Sequence, residues 1–137
     1  MSRALSIAAA AILASALGAA GTAAGCELPA GDMRLSSARY EAVVRPVPDP
    51  IVTGRHFALE IAICPKPGAR APESLRVDAS MPEHRHGMNY KPSIKEQQGG
   101  RYRAEGLMFH MAGRWELVIE VRAAGSTDRL SRSITMQ

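Results

Sequence analysis

The sequence predicts an all-β domain, a two-sheet sandwich of about seven strands, behind an N-terminal export segment. Residue runs alternate apolar and polar with the period of two that strands require. Turn formers separate those runs at near-regular spacing, and no helical periodicity follows the first 25 residues.

The leader comes first. Met1-Ser2-Arg3 is a charged start, Ala4 to Ala20 is an almost unbroken apolar stretch, and Gly21 to Gly25 are small residues. That is the pattern of a cleaved signal peptide over residues 1–25, with the mature domain at 26–137. The apolar stretch is short for a membrane span, is Ala-rich and lacks a basic stop-transfer flank. The mature chain is therefore expected in the periplasm or the secreted medium.

Within the mature part, Arg55–Cys64 places Phe57, Leu59, Ile61 and Ile63 on one face, with Ala58, Glu60 and Ala62 on the other. Gly113–Arg122 sets Trp115, Leu117, Ile119 and Val121 against Arg114, Glu116, Val118 and Glu120. Weaker patterns predict strands at Ser37–Arg45, Ser74–Ser80, Lys91–Glu96, Arg101–Phe109 and Asp128–Met136. Seven short strands favour a sandwich with Greek-key connections, and an eight-stranded barrel is the alternative. In Arg101–Phe109 the alternation of Tyr102 and Ala104 gives way to the apolar run Leu107-Met108-Phe109, which predicts a bulge at Gly106.

The two cysteines admit two readings. Ala23-Ala24-Gly25-Cys26 is close to a lipobox, in which the cysteine after the cut carries lipid and the product is an outer-leaflet lipoprotein, but Ala23 stands where Leu is usual. An even cysteine count in an exported chain favours a Cys26–Cys64 disulfide instead. Closing that loop is worth about 4 kcal/mol in the chain-entropy model.

A net charge of +4 is spread along the chain and forms no basic block. With 4% aromatic residues and no basic run interleaved with them, nucleic-acid binding is not expected.

Chemistry concentrates in Met81-Pro82-Glu83-His84-Arg85-His86-Gly87-Met88 and in Met108-Phe109-His110-Met111, which together hold three of the four histidines and four of the seven methionines. Imidazole nitrogen and thioether sulfur are copper ligands, and the thioether prefers Cu(I). His84 and His86 are two apart, so an extended backbone would point both to one side, and Gly87 would permit the reversal that returns Met88 toward them. His110 and Met111 would point to opposite faces, with His110 the ligand and Met111 core unless the bulge reverses them. Met81 continues the inward alternation of Leu75, Val77 and Ala79, so it is expected mainly as packing and secondarily as a ligand. The candidate metal set is thus His84, His86, Met88, His110 and Met81. His56 is expected to be structural, and Met108, Phe109 and Trp115 core.

Other chemistries fit poorly. Cys64-Pro65-Lys66-Pro67 carries no nearby His or Met for a blue-copper centre, and there is no haem-attachment or dithiol motif. Zinc on the histidines with Glu83 is the lesser metal choice. No nucleophile elbow, phosphate loop or catalytic carboxylate pair is present, which points away from an enzyme and from a small-molecule substrate.

The stretch Val77–Pro82 through His84–Tyr90, then Gly100–Tyr102, then Gly106–Trp115, resembles the YtkA-like domain, a family that overlaps the FixH-like proteins. The paired signatures are Met-Pro-x-His-x-His-Gly-Met and Phe-His-Met-x-Gly-x-Trp, and the similarity covers roughly Phe57 to Val121. The resemblance implies an exported immunoglobulin-like β-sandwich, often found among proteins of copper handling and respiratory-chain assembly, and supplies no established activity. Family members often have Pro where Ala112 stands, and FixH-like proteins commonly keep a membrane anchor that this chain lacks if its leader is cleaved.

Two functions follow as expectations. One is an exported copper-binding module, Cu(I) favoured, that passes the ion to a receiving protein or membrane complex. The other is a metal-free periplasmic interaction domain whose His/Met loop is structural.

Overall fold

The computed structural model describes residues 26–31 and 33–137, and the expected signal peptide at 1–25 lies outside the described residues. Nine strands form among those described: β1 (Met33–Ser36), β2 (Tyr40–Val47), β3 (His56–Pro65), β4 (Ser74–Met81), β5 (His86–Gly87), β6 (Ser93–Gln97), β7 (Arg101–Met108), β8 (Gly113–Ala123) and β9 (Ser126–Met136). They build two antiparallel sheets, one ordered β1-β2-β3-β7-β6 and the other β5-β4-β8-β9. β1 lies alongside β9 without a hydrogen-bonded ladder between them, so the sheets form a sandwich and not the alternative barrel.

The core follows from the alternation. Leu59, Ile61 and Ile63 of β3 meet Leu117, Ile119 and Val121 of β8 in one apolar cluster, each of them 1% exposed or less. Burying a side chain of this kind contributes about 1.5–3 kcal/mol. Ala58 and Ala62 fall on the opposite face of β3, yet they too are buried. The N-terminal segment lies over part of that face: a Cβ on Gly31 would stand 2.8 Å from Val43, which pairs with Ala62.

The bulge sits where the sequence predicts it. β3 and β7 pair from Ala62↔Arg101 to Ala58↔Glu105, and the next pair is Phe57↔Leu107. Gly106 is the extra residue, with φ +88°. The inward positions therefore pass from Tyr102 and Ala104 to Leu107 and Phe109, both 0% exposed, and Met108 is left half-buried.

Two of the nine strands were not anticipated, and both are too short to show a period. β1 has one fully inward residue, Leu35, and is closed onto β2 by a turn in which Ser37 N–H donates to Tyr40 O at 2.9 Å and Ser37 Oγ accepts from Tyr40 N–H at 3.1 Å. That turn occupies the expected start of the Ser37–Arg45 strand, so β2 begins at Tyr40. At its other end β2 runs through Pro46, which is tolerated because β1 stops opposite Val44 and no ladder bond to it is needed there. β5 has two residues, paired as Ser80↔Gly87 and Met81↔His86. Cys26 and Cys64 stand at disulfide distance with Cα atoms 5.5 Å apart. No helix among the described residues is long and apolar enough to cross a membrane.

Candidate functional site

The topology gathers the histidines. β7 and β8 are joined by four residues, His56 at the start of β3 pairs with Met108 at the end of β7, and Ser80 near the end of β4 pairs with Glu116 near the start of β8. All four histidines therefore lie at one end of the sandwich.

The β4–β5 turn differs from the expected extended pair. Met81 and His86 are cross-strand partners, so Pro82–Arg85 form the reversal. His84 N–H donates to Met81 O at 3.1 Å, and Arg85 takes the left-handed conformation at φ 56°. Gly87 is in β5 and does not make the turn. Beyond it Met88 N–H donates to Ala79 O at 3.1 Å, which returns Met88 to the edge of β4. Proximity of His84 and His86 comes from this turn and not from strand alternation.

The ring centroids of His84 and His86 are 5.8 Å apart, and those of His86 and His110 are 5.2 Å apart. Two imidazoles whose nitrogens reach one ion at about 2 Å hold their centroids roughly 5–6 Å apart, so both spacings suit a shared ion. His84 is exposed, while His86 and His110 are half-buried. His86 Nδ1 lies 3.1 Å from Gly87 O, and a carbonyl only accepts, so the contact is a hydrogen bond when Nδ1 carries the hydrogen, the tautomer that leaves Nε2 to face an ion. Donation of the other ring N–H to a backbone carbonyl is the usual support of a metal-binding imidazole. His110 Nδ1 is shielded from solvent and has no hydrogen-bond partner among the described residues. A buried polar atom of this kind costs stability unless something satisfies it.

Met81 is 0% exposed, and its Cε packs on Gly113. As the cross-strand partner of His86 it leaves β4 on the same side as that ring. Met88 and Met111 are half-buried against the core. Glu83, the hard ligand in the zinc reading, accepts from Arg114 Nε at 3.0 Å. Among the described residues no three His, Cys, Asp or Glu side chains form a group that could hold a metal. The imidazoles make a row centred on His86 and no closed cage. His56 is outside this row, edge to face with Tyr90 at 4.8 Å.

Trp115 carries more of the site than its place in the core suggests. Its ring meets His110 at 5.2 Å and His86 at 6.0 Å, both edge to face, and Phe109 stacks on it at 4.8 Å. The indole Nε1 donates to Met111 O at 3.0 Å. The spacing of Phe-His-Met-x-Gly-x-Trp was the only sequence signal that tied Trp115 to the histidines. A cavity of about 560 Å³ lined by Val43, Arg45, Glu60, Ala62 and Arg101 touches none of the histidines.

No curated protein and no solved structure matches the chain. The family model described as YtkA-like matches residues 35–120, which span β2 to nearly the end of β8 and include the whole histidine cluster, and the chain belongs to the YtkA-like family.

Proposed function

We propose that this chain is an exported binding module, not an enzyme, that holds copper as Cu(I) at the histidine end of the sandwich and passes it to a receiving protein or membrane complex. The observation that carries this reading is the buried, unpartnered Nδ1 of His110 on a ring 5.2 Å from that of His86. His86 and His110 would hold the ion, with His84 and the thioethers of Met88 and Met81 completing the set. A bound ion would supply a partner for His110 Nδ1, which has none among the described residues. Thioethers beside the imidazoles favour a soft monovalent ion over zinc, and Glu83, the hard ligand zinc would take, is engaged by Arg114. Export to the periplasm or beyond is supported by the leader pattern and by the cysteine pair. A lipid on Cys26 would need the same sulfur that the pairing uses.

Anaerobic Cu(I) titration against a competing chelator tests the proposal. Wild type should take up the ion, and a His86→Ala/His110→Ala variant should lose at least tenfold in affinity. Equal uptake by both proteins ends the idea. A second reading, a metal-free interaction domain, is favoured by the packing of both imidazoles on the buried indole, which would make them braces. In that case Cu(I) leaves the melting temperature of wild type unchanged, whereas a ligand at a hundredfold its Kd stabilises the folded state by about 2.7 kcal/mol.

A further inference from the structure

We infer that Trp115 is the positioning residue of the cluster, the one side chain that sets His86 and His110 against each other; this deepens the metal reading and rests on it for its binding arm. The two imidazoles reach the site on separate arms. His86 comes from β5, held by two residue pairs, and His110 from the four-residue β7–β8 connection. Each arm has little ladder of its own: β5 is two residues long, with Met88 N–H donating to Ala79 O beside it, and residues 109–112 form no ladder, with the Gly54 N–H donating to Phe109 O at 2.8 Å.

Trp115 meets both arms from a rigid position. It lies in β8, flanked by β4 and β9, and is 0% exposed. One edge-to-face contact reaches His86 and another reaches His110. The indole N–H fixes the carbonyl of Met111, the residue after His110, and the Phe109 ring before it stacks on the indole at an interplanar angle of 12°. Residues 109 to 111 are thus held on the indole by two ring contacts and one hydrogen bond. A ligand pair is useful only when its separation is held by a supporting shell, and removing such support typically costs ten- to a hundredfold in metal affinity.

The test uses the mature protein and two variants. Trp115→Phe keeps an apolar ring but removes the N–H donor and part of the contact area, and Ile119→Val, further along β8, is the stability control. In metal-free protein, wild type and Ile119→Val should show a nuclear Overhauser cross-peak between the His86 and His110 ring protons, and Trp115→Phe should lose it. A cross-peak that persists in Trp115→Phe overturns the inference. Cu(I) affinity should fall about tenfold in Trp115→Phe and hold in Ile119→Val; an equal fall in both makes the role merely structural and overturns the inference as well. If wild type takes no Cu(I), the metal reading falls, and Trp115 is still judged on the metal-free cross-peak. Should Trp115→Phe not fold, wild type carries the test, because ring currents from the indole must shift the His86 and His110 ring protons, and unshifted resonances overturn the contact.

Discussion

Arg114 and Glu83 join the histidine turn to the start of β8 through an ion pair of 3.0 Å. Both side chains are substantially exposed, at 40% and 59%, so the pair adds little to stability. Its consequence is chemical: a carboxylate next in sequence to His84 is occupied by a guanidinium and withheld from any ion at the cluster. Arg114→Met should shift the melting temperature by about 2 °C or less. The same change should raise Zn(II) affinity severalfold while leaving Cu(I) affinity within about twofold, because oxygen is the harder ligand. Competition titrations with both ions check this, and unchanged Zn(II) affinity refutes it.

Asp128 is the one buried charged residue of the described chain, and three groups satisfy it. Ser37 Oγ donates to it at 2.7 Å, the Arg39 backbone N–H at 3.1 Å, and the Arg39 guanidinium forms an ion pair with it. The hydrogen bond from Arg39, then that from Ser37, holds this carboxyl below its usual range despite burial. A folded-state value below the unfolded one of about 3.9 gives stability that is complete above that pH and is lost as pH falls through the folded value. Glu60 and Glu105 are lowered in the same direction by hydrogen bonds from Arg45 and Lys95. Urea midpoints of wild type should therefore fall below about pH 4. Asp128→Asn should cost about 1–3 kcal/mol at pH 7 and flatten that acid limb. An unchanged midpoint at pH 7 would show that the network contributes nothing.

The inward faces of β3 and β8 are legible because each repeats every second residue over ten or more positions. Gly106 is legible for a related reason: Tyr102 and Ala104 face inward at even positions and Leu107 and Phe109 at odd ones, which requires one inserted residue between the two pairs. β1 and β5 are not, since a strand of four residues or two carries no measurable period. The histidine turn departs from the sequence expectation for a local reason. Gly87 advertises a reversal, but the left-handed residue is Arg85, and the Pro82–Arg85 reversal is set by the Met81↔His86 pairing, which depends on β4 lying beside β5. The indole's contact with two imidazoles arises from sheet packing, which neither period nor spacing encodes.

The Cys26–Cys64 pair closes a loop with a sequence separation of 38, for which the chain-entropy model gives about 4 kcal/mol. Cys64→Ser should lower the unfolding free energy by about 2–5 kcal/mol, and reductant should do the same to wild type. Non-reducing mass spectrometry checks the bond directly, showing two hydrogens fewer than the dithiol. Two free thiols, or a lipid adduct on Cys26, would overturn the pairing.

Gly113 opens β8 two residues before Trp115, with φ at +123°, and a Cβ there would lie 2.6 Å from Met81 Cε. Gly113→Ala therefore meets two separate penalties. Backbone strain costs about 1–3 kcal/mol, and the contact, which falls on the far end of a flexible but buried side chain, about 1 kcal/mol or less. Met81→Ala removes the contact and leaves a cavity worth about 2–5 kcal/mol, but it cannot relieve the backbone. The double variant should be more stable than the sum of the single losses predicts, by about 1 kcal/mol, since only the collision is shared. Denaturant unfolding of the four proteins measures this coupling, and additivity within about 0.5 kcal/mol would mean that Met81 and Gly113 do not press on each other. Because Met81 is the cross-strand partner of His86, the strain of Gly113→Ala should also reach the cluster. Loss of the His86 to His110 ring cross-peak in that single variant, and its return in the double, is the expected result.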